Sequence, residues 1–432
     1  MAILTVGSRG DVEPFLALAV ALAASGARPR LITHERFRDL ADLYGVPFSP
    51  LPGDPAALMQ SAAGRRALES GRNFGRFLAE FRRLTTGLSL ATWDAARPAV
   101  AGADVLVHST FAYQAHYLGR VLGIPTVSAH LQPLVPTGEF ASPATPFSVP
   151  GRFLRRFTHV AAGAIFWHHA RPSVDVLRAR VPDLAGLGSP IPELLRGRAP
   201  LLIAVSPSVV PRPRDWPPFV HETGYWFLPP PPAWTPPRAL ADFVERGGEP
   251  VYVGFGSLAQ RDPDATRRLV DRALTVAGVR GVVLTGWAGM TGEPATDAVM
   301  PVSDVPHAWL FPRMRVVVHH GGAGTTAAAL RAGVPQVVVP HFGDQWFWAE
   351  RVAALHAGVV LPRRRLTAER LARAIESAAQ AAPRPLARAI AGEDGLAVAI
   401  RVIQTLARPD GEDPGPREPK NFRSRSARAA PE

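Results

Sequence analysis

The run RVVVHHGGAGTTAAALRA at residues 315–332 is the stretch whose reading settles the fold. Three consecutive valines read as a buried strand, the glycines as a tight turn, and the alanine-rich remainder as a helix. Strand, glycine turn and helix in that order form the repeating unit of a parallel α/β sheet. The turn also carries chemistry. The first N–H groups of a helix have no partner within it and bear partial positive charge, so a diphosphate settles there, and glycines let it reach the backbone. Tight strand–helix packing would explain the same glycines without a ligand, so the neighbouring residues must decide.

Two further loops fall on the same rim. Gly254-Phe255-Gly256-Ser257 closes a strand read over residues 251–255, and a parallel sheet places its ligand crevice at such strand ends. Pro340-His341-Phe342-Gly343-Asp344-Gln345 closes another, offering a carboxylate and an amide suited to vicinal sugar hydroxyls. Capping of the helix that follows is the competing explanation for Asp344 and Gln345.

Working outward, strands are read over 3–6, 30–33 and 104–107, with a helix over 14–25, and a second series over 251–255, 282–285, 316–319, 336–339 and 359–361. Gly26, Gly278, Gly333 and Gly358 read as helix stops. Residues 206–238 hold eleven of the 45 prolines and read as an extended linker. The expected plan is an N-terminal Rossmann-like domain over 1–205, the linker 206–238, a C-terminal Rossmann-like domain over 239–384, a helix over 385–408 returning to the N-terminal domain, and a disordered tail over 409–432.

The chain has 432 residues, 47% of them apolar, which suits two cores. It lacks cysteine, so disulfides, thiolate metal sites and cysteine nucleophiles are excluded. The net charge of +12 fits either a nucleic-acid binder or an enzyme of phosphate-bearing substrates. No recognition helix or zinc-finger spacing accompanies it, and the cluster Arg363-Arg364-Arg365 reads as a solvated turn, so nucleic acid is not the expected partner. The N-terminal apolar run is broken by Ser8, Arg9, Asp11, Glu13 and Pro14, unlike a signal peptide. With no spanning segment read, the expected compartment is the cytosol, compatible with peripheral membrane contact.

The segments Val305-Pro306-His307, His319 to Thr326 and Gly343-Asp344-Gln345-Trp346-Phe347-Trp348 resemble the donor-binding signature of family 1 (UDP-) glycosyltransferases. Gly7-Ser8-Arg9-Gly10-Asp11-Val12-Glu13-Pro14 and Gly224-Tyr225-Trp226-Phe227-Leu228 extend the likeness toward the sterol 3-β-glucosyltransferase branch and bacterial natural-product relatives. The resemblance implies a GT-B fold, in which two Rossmann-like domains with parallel sheets face a central cleft. It implies an inverting transfer of a hexose, with UDP-glucose favoured, to a hydroxyl of a lipophilic acceptor. By carry-over, His320 and the turn at Gly322, Ala323, Gly324 and Thr325 hold the diphosphate, with Ser257 opposite. Asp344 and Gln345 grip the sugar, Val305 and His307 lie near the base, and Ser8 and Arg9 close over the donor.

The candidate base is Asp11, standing where many relatives carry the histidine of a Gly-His-x-x-Pro turn. A cap role is the alternative, and the helix end is expected to depress its pKa. His108 and His130 are reserve bases on the acceptor side. The helix start and His320 take the part a divalent metal plays in other glycosyltransferases, and Asp262-Pro263-Asp264 reads as a cap, so neither metal nor cofactor is expected. The first strand lacks the Gly-x-Gly-x-x-Gly spacing of a dehydrogenase, and Gly254 to Leu258 lacks a hydrolase elbow. A TDP-deoxysugar transferase and a non-catalytic nucleotide-sugar-binding protein are the remaining alternatives.

Overall fold

The computed structural model describes residues 1–54, 82–83, 85–197, 199–231, 233–255, 263–285 and 297–407. Its first lobe is built on seven parallel strands: β1 (Ala2–Leu4), β2 (Arg30–His34), β3 (Phe48–Leu51), β4 (Leu106–Ser109), β5 (Thr126–His130), β6 (Leu201–Ile203) and β7 (Val220–Glu222). They lie in the order β3-β2-β1-β4-β5-β6-β7. The second lobe has six parallel strands: β8 (Val251–Gly254), β9 (Gly281–Leu284), β10 (Val299–Val302), β11 (Val316–His319), β12 (Gln336–Val338) and β13 (Gly358–Val360). Their order is β10-β9-β8-β11-β12-β13. Both sheets reverse strand order once, between β1 and β4 and between β8 and β11. A parallel sheet opens a crevice at such a point, so the topology alone places Asp11, Ser109, Gly254 and His319 on ligand-facing rims.

Helices cover the sheet faces. In the first lobe these are α1 (Arg9–Ala24), α2 (Arg38–Leu43), α3 (Ser89–Val100), α4 (Gln114–Leu122), α5 (Arg152–Arg178) and α6 (Pro190–Leu194). In the second they are α7 (Arg238–Glu245), α8 (Pro263–Val276), α9 (His307–Leu310), α10 (Ala323–Ala332), α11 (Gln345–Ala354), α12 (Ala368–Ala378) and α13 (Arg384–Ala391), followed by α14 (Gly395–Ala407). Phe15, Leu16, Leu18 and Leu22 of α1 are fully buried against Leu31, Val107 and Val127. At about 1.5–3 kcal/mol per buried side chain, this packing fixes the helix whose first turn carries Asp11.

Several expectations are corrected. Residues 206–238 do not form an extended linker throughout, because β7 completes the first sheet and Val209, Val210, Trp216 and Tyr225 are buried. Prolines are tolerated there because β7 is an edge strand with one side free of the ladder. The helix expected over 385–408 is two helices broken at Gly392 to Asp394. Helix α13 packs on α10 of the second lobe, its Ile390 in a cluster shared by both lobes, while Ala399 and Ile403 of α14 pack on the first. The chain therefore crosses between lobes twice, and the crossings touch where a Cβ on Gly395 would lie 2.5 Å from Tyr225 O. Glu393 Oε1 accepts from Ser206 Oγ at 2.7 Å and Ser208 Oγ at 2.8 Å. The expected tail over 409–432 lies outside the described residues.

Helix α1 starts at Arg9, well before Pro14, which sits inside it. Gly26, Gly278 and Gly333 do take positive φ where helices end, but Gly358 opens β13 instead. A Cβ there would meet Gln336 O at 2.0 Å, so close strand approach explains the glycine, and His356 supplies the left-handed turn after α11.

Candidate active site

The lobes enclose a cleft of about 2280 Å³, lined mainly by apolar side chains on the first lobe and by the glycine turn on the second. At its floor β11 ends in two histidines with different duties. His319 is fully buried; its Nδ1 accepts the Gly321 N–H at 3.1 Å and its Nε2 pairs with Gln336 Oε1 at 2.8 Å. His319 therefore holds the turn, while His320 faces the cleft. A Cβ on residue 322 would lie 2.6 Å from His320 Nε2, so Gly322 lets the imidazole fold over the helix start. Burial pushes His320 down to about 4, against a backbone hydrogen bond with Gly254 that raises it, so the ring is neutral at pH 7 and carries a single N–H.

The first bond at the start of α10 runs from Thr326 N–H to Gly322 C=O, leaving the N–H groups of Ala323, Gly324 and Thr325 directed at the cleft. Thr326 Oγ1 is spent on Gly322 C=O, whereas the Thr325 side chain lines the cleft. Space beside Gly324 is open. A helix start left open in this way can cradle an anionic group such as a diphosphate. Ser257 lies outside the described residues, as does Asp262. Asp264 stands in the first turn of α8.

Farther along this wall, Val305 is buried beside the cleft and His307 stacks on Phe311 with ring centroids 4.2 Å apart. Burial pushes His307 down to about 4 as well. On the other side, Asp344 Oδ2 accepts from Trp348 Nε1 at 3.0 Å and from Gln132 Nε2, of the first lobe, at 3.4 Å. Desolvation raises the Asp344 pKa. Gln345 is buried and lines the cleft, but its Oε1 accepts the N–H groups of His341 at 2.8 Å and Phe342 at 3.2 Å. Its amide oxygen thus serves its own turn, and only its NH2 is left for a sugar.

Asp11 faces this wall from the first turn of α1. The Ser8 N–H and Oγ–H both donate to Asp11 Oδ2, at 2.8 Å and 2.9 Å. The cap and the cleft-facing carboxylate are thus one group. Its pKa is not depressed as expected at a helix start. Desolvation outweighs the Ser8 bonds and, with the nearby Asp344 charge, lifts it to about 6. Arg9 is paired to Glu13 at 2.5 Å and, across the cleft, to Asp304 at 2.6 Å.

Both reserve histidines line the first-lobe wall of the cleft. His130 pairs with Thr110 Oγ1 at 2.6 Å and Ser128 Oγ at 3.2 Å, and burial pushes it down to about 3. His108 is held near 4 by burial, and its Nε2 has no hydrogen-bond partner among the described residues. Neither has the proton affinity of Asp11. Gln132 and Asp304 went unread in the sequence, although Gln132 follows the end of β5 by two residues, at the rim where ligands bind.

Residues 1–127 match the glycosyltransferase family 28 N-terminal domain, and residues 290–394 match the C-terminal domain of the erythromycin biosynthesis protein CIII-like family. The chain belongs to the glycosyltransferases. Among curated relatives, a sterol 3-beta-glucosyltransferase of Emericella nidulans is 36% identical over 422 residues, covering 93% of this chain and 29% of that protein. The chain thus spans under a third of the length of the curated relatives it matches. Among solved structures, the glycosyltransferase of kitacinnamycin superposes with a TM-score of 0.68 at 20% identity, covering 94% of this chain and 98% of that one. The Streptomyces sp. SF2575 glycosyltransferase SsfS6, complexed with thymidine diphosphate, gives 0.60 at 23% identity, covering 94% and 99%. The fold of this glycosyltransferase is therefore GT-B. Among its described residues no helix is long and apolar enough to cross a membrane.

Proposed function

We propose that this glycosyltransferase moves a hexose, with UDP-glucose as first-choice donor, to a hydroxyl of a lipophilic acceptor such as a sterol or polyketide, with inversion and without a metal. The observation that carries this reading is the Asp11 carboxylate, raised to about 6, opposite the open N-terminus of α10. The acceptor O–H bond breaks as its proton passes to Asp11, the oxygen bonds to the anomeric carbon from one face, and the bond to the diphosphate oxygen breaks on the other. Charge growing on the leaving diphosphate is met by the N–H groups of Ala323, Gly324 and Thr325, by neutral His320 and by the Thr325 hydroxyl. Asp344 takes sugar hydroxyls, and the largely apolar first-lobe wall takes the acceptor body. The reading takes the cytosol as its compartment, with the acceptor met at a membrane surface.

A TDP-deoxysugar donor is the second reading, supported by the thymidine diphosphate in the SsfS6 complex. Calorimetric titration with UDP-glucose and TDP-sugars, followed by mass spectrometry of products from sterol and polyketide acceptors, separates the two. Tight UDP-glucose binding and a hexose-shifted sterol mass support the first reading. Donor binding with no product on any acceptor would leave a nucleotide-sugar-binding protein.

A further inference from the structure

The first half of α5 presents an apolar surface that no other element among the described residues covers. Phe153 is 81% exposed, Phe157 57% and Val160 56%, and their spacing of four and three residues sets them on one stripe. Phe147, in the loop just before, is 64% exposed. A contiguous patch of this kind marks an interaction surface. The patch is continuous with the acceptor side of the cleft, since Phe147, Phe157 and Val160 also line that cavity.

Its charge points to the partner. Residues 140–174 contain Arg152, Arg155, Arg156 and Arg171 and no acidic residue. The side chains of Arg152 and Arg156 are 66% and 54% exposed beside the phenylalanine stripe, with Asp215 as a loose shared partner at 4.0 Å and 3.6 Å. A second copy docked here about a two-fold axis would bring these arginines against themselves. An anionic bilayer supplies the opposite charge and an apolar layer within reach of the rings.

We propose that the outer face of α5, with the Phe147 loop, docks on anionic lipid, opening the acceptor cavity toward the bilayer so that a lipophilic acceptor passes in without crossing water. This rests on the lipophilic-acceptor reading above for its purpose, but not for its test. The test is co-sedimentation of the full chain with phosphatidylcholine vesicles, with and without phosphatidylglycerol. Binding is expected to rise with the anionic lipid. The R152Q/R156Q variant should lose about fivefold per charge removed, and F153S should lose about tenfold. None of these three side chains lines the cleft, and an unchanged thermal melt by circular dichroism reports that each variant remains folded, with UDP-glucose titration of the parent chain read separately. Vesicle binding that both variants leave unchanged, or no binding by the parent chain, would overturn the proposal. So would a solution dimer that F153S splits in analytical ultracentrifugation. Vesicle binding without nucleotide-sugar binding would sink the proposed activity and leave the docking surface standing.

Discussion

Arg9 Nη1 lies 2.6 Å from Asp304 Oδ1, so the first turn of α1 grasps the loop ahead of α9 from across the cleft. Both side chains are partly exposed, and an ion pair of this kind contributes less than about 1 kcal/mol. Arg9→Gln should therefore leave the melting temperature nearly unchanged. Its effect should appear in donor binding, as about a fivefold weaker Kd. Calorimetry with UDP-glucose measures this, and an unaltered Kd would relieve Arg9 of any part in donor binding.

Asp11→Asn should leave the donor Kd within about twofold while kcat falls by 10²–10⁴, the usual worth of a general base. The parent enzyme should show an acidic limb in kcat/KM near pH 6, where Asp11 takes up a proton, and the variant should lack it. Stability moves the other way. A carboxylate whose folded pKa exceeds its unfolded value destabilises the fold at pH 7, by about 1–3 kcal/mol for a shift from 3.8 to about 6. The variant should be the more stable protein in urea at pH 7, and the gap should shrink as pH falls through 6 toward 4. A fully active variant would pass the base role elsewhere.

At the proposed diphosphate cradle, His320→Ala should weaken donor binding and turnover together, by ~1.5–3 kcal/mol for one lost hydrogen bond to a charged group. Gly321→Ala tests the turn itself. Gly321 has φ +92, and a Cβ there would sit 2.9 Å from Val338 Cγ1 and 3.0 Å from Gln345 O. The substitution should cost more than about 1 kcal/mol in stability and misplace the helix start. Normal donor affinity in both variants would move the diphosphate to another part of the cleft.

Acid should unfold this protein early. His108, His307 and His320 are pushed down to about 4, and His130, His319 and His341 to about 3, in each case chiefly by burial. Unfolded chains protonate histidine near 6.5. Below that pH the unfolded state binds the extra protons, so stability is whole above 6.5 and declines toward pH 4. Each histidine that stays neutral removes about 1.4 kcal/mol per pH unit across that window. Urea midpoints at pH 7.5 and 5.5 should differ plainly, and equal midpoints would mean that these rings are solvated.

The strands that carry the cradle were legible because central parallel strands are apolar throughout, as at Val316 to Val318. Five strands went unread: β5 and β6 are short central ones, β5 interrupted by Ser128 and His130, and the other three are edges that hold or adjoin prolines, with Pro50 in β3, Pro301 in β10 and the proline-flanked β7. An edge strand keeps one side out of the ladder, so it accepts residues that argue against a strand in sequence. Helix α5 was hidden for a different reason. One side faces the cleft and the other leaves phenylalanines in the open, so its apolar residues show no single periodic face. The position of Asp11 was readable from its motif, but not its pKa, because desolvation depends on what the second lobe sets against it. Likewise the Gln132–Asp344 contact joins residues of different lobes, which no local pattern reports.

The two crossings meet where a Cβ on Gly395 would lie 2.5 Å from Tyr225 O, and beside them the halves are glued by a common apolar seam in which Val209, Val210 and Tyr225 pack with Phe347, Trp348 and Val352. Severing one tether would not part the halves, since the other still holds. Trimming the chain after Ala391 would bare the groove on α1 that Ala399 and Ile403 fill, so neither half can be made as a clean fragment by one cut.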